Sequence, residues 1–130
     1  GKDFSENLEN LLPENTDLIV LAGFLSILSK NFCEKYKGKI INIHPALLPK
    51  FGGKGMWGHH VHEAVIEAKE KESGATVHFV TSGIDEGEII LQGKFDIDEN
   101  DTPETLAQKV HEIEYDIFPK AINLVLRIPL

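Results

Sequence analysis

A run of branched apolar residues that stops at two polar side chains is the feature that most restricts how this chain folds. Residues 40–43 hold three isoleucines, which is typical of a strand in a sheet covered on both faces. Asn42 and His44 are two positions apart, so on a strand their side chains leave the same face. Pro45 has no backbone N–H to donate, and strand pairing is therefore expected to end there.

Two polar side chains at the carboxyl end of an apolar strand have two interpretations. Open α/β sheets bind their ligands at this end of the strands, which favours a functional site. A capped strand end, with Asn42 and His44 hydrogen-bonded to nearby loops, explains the same pattern equally well. The spacing alone leaves both interpretations open.

Composition and charge indicate one folded domain and exclude several functions. The chain has 130 residues, of which 42% are hydrophobic and 26% charged, as in an ordinary globular domain. Its net charge of -8 argues against non-specific binding to nucleic acid, because phosphate would be repelled across the surface. The single cysteine, Cys33, excludes an internal disulfide. Without a signal peptide or an apolar run of roughly 20 residues, a soluble cytoplasmic protein with no membrane contact is expected.

Apolar periodicity predicts helices and strands mixed along the chain, as in an α/β fold. The predicted helices cover 4–12, 29–36, a segment from His59 to Gly74, and a long segment that begins at Thr102. The predicted strands cover 17–22, 39–44, 76–81 and 88–95. The link between the last two strands is short, which makes them antiparallel neighbours.

Particular residues mark helix ends, core faces and loops. Ser29 and Thr102 are typical N-caps, and Pro103 suits the first helical position. The apolar stripes expected in the core lie at 4, 8, 11 and 12 in the first helix and at 106, 110, 113, 117, 121 and 124 in the last. The apolar segment 23–28 fits either the core or the wall of a pocket for a flat ligand. Residues 52–58 hold four glycines but lack the spacing of a phosphate-binding loop.

Several titratable side chains have ordinary explanations. The histidines at 59, 60 and 62 lack a metal-site pattern, so they are interpreted as a solvated helix start and no metal ion is expected. His111 and Glu114, one helical turn apart, are solvated by default. Asp85 lies in a loop between two glycines, where an aspartate commonly forms a turn.

The same residues also suit one chemical task. An amide and an imidazolium at one strand end can stabilise the oxyanion that forms when a carbonyl becomes tetrahedral. A carboxylate beside the histidine keeps it charged and accepts a proton through water. Asn42, His44 and Asp85 supply these three groups. No serine or cysteine nucleophile is indicated, so direct transfer between two bound substrates is the natural mechanism.

Four blocks of sequence carry a resemblance to a known family. They are 21–28, 42–50 (Asn-Ile-His-Pro-Ala-Leu-Leu-Pro-Lys), 75–80 and 84–92. In this order they resemble the phosphoribosylglycinamide formyltransferases. The resemblance implies a three-layer α/β, Rossmann-like formyltransferase fold with a mostly parallel sheet, helices on both faces, and the N-terminal strands missing. It implies transfer of a formyl group from 10-formyltetrahydrofolate, a co-substrate, to the amine of glycinamide ribonucleotide in de novo purine biosynthesis.

The resemblance also implies roles for individual residues. Asn42 and His44 would stabilise the oxyanion of a tetrahedral intermediate, and Asp85 would assist proton transfer. Folate binding is implied for Leu21, Phe24, Leu25, Ser26, Ile27, Leu28, Ile40, Thr81, Ser82, Gly83, Ile84 and Asp85. Contact with the nucleotide is implied for Gly23, Leu25, Pro45 and Glu114. Thr76 and His78 would support the site.

The chain departs from the family pattern in two places. The glycine-rich loop that holds the substrate phosphate is absent, so residues 1–130 are expected to form a single domain without its N-terminal phosphate-binding portion. That portion of the same protein is the expected partner, in a monomer or a homodimer. The loop 52–58 is also longer than expected, and Lys54 in it could help to neutralise phosphate.

Other functions share the three-residue arrangement. Methionyl-tRNA formyltransferase, formyltetrahydrofolate hydrolase and sugar-amine formyltransferases are the nearest alternatives. The continuation of the motif after His44, together with Glu114, favours the purine enzyme, and the acidic charge argues against the tRNA enzyme. A non-catalytic folate-binding fragment is the alternative from a different class.

Overall fold

Helices and strands alternate along the first two thirds of the chain, and one long helix closes it. The computed structural model describes residues 2–22, 28–82 and 86–127, without the side chains of Lys2 and Asp3. The helices are α1 (Lys2–Leu11), α2 (Lys30–Lys35), α3 (His59–Glu67) and α4 (Pro103–Leu126). The strands are β1 (Ile19–Ala22), β2 (Ile40–His44), β3 (Glu72–Phe79) and β4 (Ile89–Asp96).

The four strands form one mixed sheet in the order β1-β2-β3-β4. β1 and β2 are parallel, with Ile19 opposite Ile40. β2–β3 and β3–β4 are antiparallel, the second pair as predicted. The described part of the sheet is therefore mixed and not mostly parallel as expected. One reason is that β3 and β4 are joined by residues 80–88 alone, which is too short for a crossover between parallel strands.

Helices cover both faces of the sheet, as predicted, and the alternation of β2 shows how. Ile41 and Ile43 pack in one cluster with Val110 and Ile117 of α4. Ile40 points the other way, into a second cluster with Phe32 of α2, against which Leu8 of α1 packs. Asn42 and His44 alternate with the α4-facing isoleucines and so share the face of Ile40.

The predicted caps are confirmed. The Ser29 hydroxyl accepts a hydrogen bond from the N–H of Phe32 at 3.2 Å. At the start of α4, the Thr102 hydroxyl accepts from the N–H of Thr105 at 3.2 Å, and Pro103 follows the cap. None of the described helices has the length and apolar character needed to cross a membrane.

Gly74 does not end α3 as predicted, because α3 ends at Glu67 and Gly74 lies inside β3. A Cβ on Gly74 would stand 1.9 Å from the carbonyl oxygen of Gly93 on β4. The glycine is required by the close approach of two strands and not by a helix end.

Four apolar residues expected in the core are exposed, and the first of them is Phe4 of α1, at 44%. Leu11, the last residue of α1, is 81% exposed, and Leu124, in the last turn of α4, is 58% exposed. Val20 is 43% exposed although its strand has the apolar sequence of a fully covered one. β1 pairs only with β2 within the described residues, so it is an edge strand there.

Candidate active site

The carboxyl end of β2 places two hydrogen-bonding side chains in a buried position. Asn42 is 5% exposed and His44 is 4% exposed. The antiparallel neighbour β3 sets His78 opposite Asn42 and Thr76 opposite His44. The structure therefore brings together four of the predicted site residues on one face of two strands.

The Asn42 amide is oriented by His78. The Asn42 Nδ2 lies 3.4 Å from His78 Nε2, and His78 Nδ1 lies 2.9 Å from the carbonyl oxygen of Phe79. A carbonyl only accepts, so Nδ1 carries the hydrogen and Nε2 accepts from the Asn42 N–H. The Asn42 Oδ1 is buried and accepts no hydrogen bond from any described residue. The amide thus keeps one N–H and its oxygen for a ligand.

His44 is tied to the loop that follows its strand. Its Nε2 lies 2.7 Å from the carbonyl oxygen of Phe51 and donates the hydrogen between them. Phe51 has a φ of 56°, an unusual backbone conformation for a residue other than glycine. This conformation accompanies the turn of residues 51–58, where three glycines also have positive φ.

Glu114 lies in a cavity and is not simply solvated. The cavity has a volume of about 310 Å³, and its lining residues are Ala22, Ile43, His111, Glu114, Tyr115, Phe118, Pro119 and Ile122. The Glu114 side chain is 21% exposed, 3.4 Å from His111 Nδ1. Burial raises the pKa of Glu114, and His111 opposes this rise. Ala22 and Ile43 belong to the carboxyl ends of β1 and β2, so the cavity reaches the same end of the sheet as His44.

The residues implied for folate binding are only partly described. Leu21 is half-buried, whereas Leu28 and Ile40 are each 1% exposed in the second core cluster. Val80 donates its N–H to the Ile40 carbonyl at 2.9 Å, which brings the exposed residues Thr81 and Ser82 next to β2. The remaining implied residues, Gly23, Phe24, Leu25, Ser26, Ile27, Gly83, Ile84 and Asp85, lie outside the described residues.

His62 is a residue whose position the sequence interpretation missed. The sequence predicts a solvated helix start, but His62 is 5% exposed, and its Nδ1 has no hydrogen-bond partner within the described part of the chain. Burial lowers the pKa of His62 to about 4, with smaller contributions from His111, His59 and His44. Its spacing of three residues from the buried Val65 was the available signal.

His59 and His60 agree with the predicted solvated helix start. Both are exposed, and His59 Nε2 lies 3.6 Å from a carboxylate oxygen of Glu104. Across the described residues, no three His, Cys, Asp or Glu side chains are grouped as metal ligands.

The fold is of the α/β class, in which ligands commonly bind where parallel strands end, and Asn42 and His44 lie at that end of β2. The chain matches the family model described as Formyl transferase over residues 2–122. It belongs to that family.

Named relatives agree with the assignment. The chain is 42% identical over 129 residues to phosphoribosylglycinamide formyltransferase of Haemophilus influenzae, covering 94% of this chain and 58% of that protein. It is 43% identical over 121 residues to trifunctional purine biosynthetic protein adenosine-3 of Drosophila melanogaster, covering 93% of this chain and 9% of that protein. The chain thus spans less than two thirds of either relative.

A solved structure confirms the fold class. The crystal structure of phosphoribosylglycinamide formyltransferase from Anaplasma phagocytophilum matches with a TM-score of 0.83 at 37% identity, covering 94% of this chain and 56% of that chain. The predicted formyltransferase-type α/β fold is therefore confirmed.

Proposed function

We propose that this protein transfers the formyl group of 10-formyltetrahydrofolate to the amine of glycinamide ribonucleotide, a step of de novo purine biosynthesis. Two observations support the proposal. The family is that of formyl transferases, and relatives at about 40% identity carry the name of this activity. The observation that carries the chemistry is the buried, oriented amide of Asn42 beside His44 at the strand end.

Asn42 would act on the formyl oxygen. One amide hydrogen is committed to His78, so the other is free to point at an oxygen that gains negative charge as the amine attacks. Because the amide is buried, this hydrogen bond strengthens in a site with little competing water. Its Oδ1, which has no partner among the described residues, would accept a hydrogen from the attacking amine.

His44 would supply a second donor to the same oxygen. Its Nε2 hydrogen is held by the Phe51 carbonyl, so a substrate oxygen must replace that carbonyl to use it. Asp85 would keep His44 protonated and take up the proton that leaves the amine. That proton would pass to the folate nitrogen as its bond to the formyl carbon breaks and tetrahydrofolate leaves. Asp85 is outside the described residues, and its role is a prediction from the sequence.

The described residues fit the two substrates in different ways. Leu21 and Val80 are half-buried apolar side chains beside β2, as suits the flat ring system of a folate. The Glu114 carboxylate in its cavity can accept hydrogen bonds from the sugar hydroxyls of the nucleotide. No step of this scheme calls for a metal ion.

The substrate phosphate is expected to bind outside this chain. Within the described residues, no glycine-rich turn joins a strand directly to a helix N-terminus, where phosphate commonly binds. We infer that residues 1–130 form one formyltransferase domain that works with a phosphate-binding portion of the same protein. A cytoplasmic location stays a prediction; the name of the Arabidopsis thaliana relative describes that protein as chloroplastic.

Substitution of the proposed catalytic groups tests the chemistry. In the protein as its gene encodes it, His44→Ala and Asp85→Asn should each lower kcat/KM by about 100-fold or more. His60→Ala, an exposed histidine outside the site, is the matched control and should retain activity. A near wild-type rate in His44→Ala, measured on a correctly folded protein, would rule out this mechanism.

A further inference from the structure

A row of side chains crosses three strands on the face that carries His44. Thr76 of β3 stands opposite His44, and Gln92 of β4 stands opposite Thr76. The row lies beside the backbone of residues 45–48, which leaves β2 after His44. Thr76 is completely buried, so its hydroxyl depends on protein partners.

The Thr76 hydroxyl uses all its hydrogen-bonding capacity on this row and the adjoining loop. It donates to the carbonyl of Ala46 at 2.7 Å and accepts from the N–H of Leu48 at 3.1 Å. It also accepts from Gln92 Nε2 at 2.9 Å. A hydroxyl has one hydrogen and two lone pairs, so these three bonds satisfy it fully.

Gln92 uses both hydrogens of its amide in the same cluster. One goes to Thr76, and the other goes to the carbonyl of Leu48 at 2.9 Å. The backbone of Ala46 and Leu48 is therefore fixed at three polar atoms, two of them carbonyls. Pro45 lies between this fixed segment and His44, so the position of Pro45 is restricted from both sides.

We propose that Gln92 is a positioning residue for formyl transfer: through Thr76 and Leu48 it holds the backbone that sets Pro45 and the ring of His44. The inference rests on the proposed function. Gln92 itself touches neither reacting group, and it acts by restricting where His44 leaves the strand. A shift of about 1 Å at a reacting group is enough to cost a large factor in rate.

A role in catalysis is separated from simple stabilisation by the kinetic constant that changes. Gln92→Leu removes both donors, and Gln92→Glu keeps the shape while replacing the NH₂ by an oxygen that cannot donate when ionised. We expect kcat to fall about tenfold in each variant while both KM values change less than about twofold. The control is Lys94→Met, which alters an exposed ion pair two positions along the same strand.

Two further measurements test whether Gln92 acts through its hydrogen bonds to Thr76 and to the Leu48 carbonyl. The amide hydrogen of Leu48 should exchange faster with solvent in Gln92→Leu, because the adjoining carbonyl is released. Thr76→Val should lower kcat, and adding Gln92→Leu to it should cost much less than the product of the two separate losses. Independent, multiplicative losses would overturn the proposal.

The outcomes for the proposal and for the function are distinct. A wild-type protein that transfers formyl, with Gln92→Leu and Gln92→Glu within twofold of its kcat, overturns the positioning role alone. A loss of kcat in Lys94→Met as large as that in the Gln92 variants would also overturn the positioning role, because Lys94 is the control. A wild-type protein with no transfer overturns the proposed function, and this inference with it.

Discussion

The Asn42 amide has one orientation that suits its neighbour, and His78 sets it. His78→Leu would remove the acceptor and leave a buried amide with neither end paired within the described residues. We expect a loss of about 1–3 kcal/mol in the free energy of unfolding. We also expect kcat to fall because the amide can rotate. Urea unfolding and steady-state kinetics measure both, with exposed His60→Leu as the control. An unchanged kcat in a folded variant would contradict the orientation role.

His62 predicts a pH dependence of stability. Its pKa is about 4 in the folded protein against an ordinary value of 6.5, so only the unfolded chain binds its proton between these values. Stability should therefore be complete above pH 6.5 and fall as the pH drops towards 4, by up to about 3 kcal/mol. Denaturant unfolding at a series of pH values measures the slope.

The control for this dependence of the free energy of unfolding on pH replaces His62 by a residue that does not titrate. His62→Gln should flatten the dependence between pH 6.5 and 4. Glu114, whose pKa is raised by burial, contributes in the opposite direction, since its stabilising protonated form is lost as the pH rises above 4.5. The same slope in His62→Gln and wild type would show that another group is responsible.

At the scale of single residues, the sequence predicts the direction of a side chain better than its surroundings. The shared face of Asn42 and His44 follows from the two-residue period of a strand, which is local. The burial of His62 depends on how α3 packs, and its spacing from Val65 is a weak local signal because it does not show how wide the buried face of the helix is. The Thr76–Gln92 contact joins residues 16 positions apart and depends on strand register.

At the scale of elements, β3 and β4 approach so closely that one position admits only glycine. Gly74→Ala would place a Cβ 1.9 Å from the Gly93 oxygen, so the strands must separate. We expect it to lower the free energy of unfolding by at least about 2 kcal/mol. Gly55→Ala is the control: it has open space but a φ of 83°, and should cost about 1 kcal/mol. Equal costs in a thermal or urea melt would contradict the close approach.

Elements with local signals were predicted well. Ser29 and Thr102 act within their own helix turns, so the sequence contains the whole interaction. The prediction that Gly74 ends a helix is wrong because glycine serves both helix ends and close strand contacts. Leu11 and Leu124 follow their helical stripes, but nothing in a stripe shows where the neighbouring layer stops.

At the scale of the whole molecule, the net charge and the lack of a phosphate loop among the described residues predict that the substrate phosphate adds little to the affinity of this chain. The net charge is -8, and the proposed site contributes Glu114 without a phosphate loop among the described residues. The 130-residue chain should therefore bind glycinamide ribonucleotide and its phosphate-free nucleoside with dissociation constants within about threefold of each other. Calorimetric titration measures both. A strong preference for the nucleotide that disappears in Lys54→Ala would instead place the phosphate on loop 52–58.

The layers of the fold were predictable, whereas the directions of the strands were only partly so. Apolar runs at 18–22 and 40–43 require cover on both faces, and this predicts helices on either side. Strand order and direction depend on contacts between distant segments. The short link between β3 and β4 was the one local indication of direction.

The identity of the product tests the central claim most directly. The protein as its gene encodes it is supplied with 10-formyltetrahydrofolate, labelled in the formyl group, with and without glycinamide ribonucleotide. The account predicts label on the nucleotide's amine when the nucleotide is present, and almost no free formate when it is absent. Formate release at the same rate in both mixtures would indicate a hydrolase, and bound but unreacted folate would indicate a non-catalytic domain. Either result would contradict the proposed transfer.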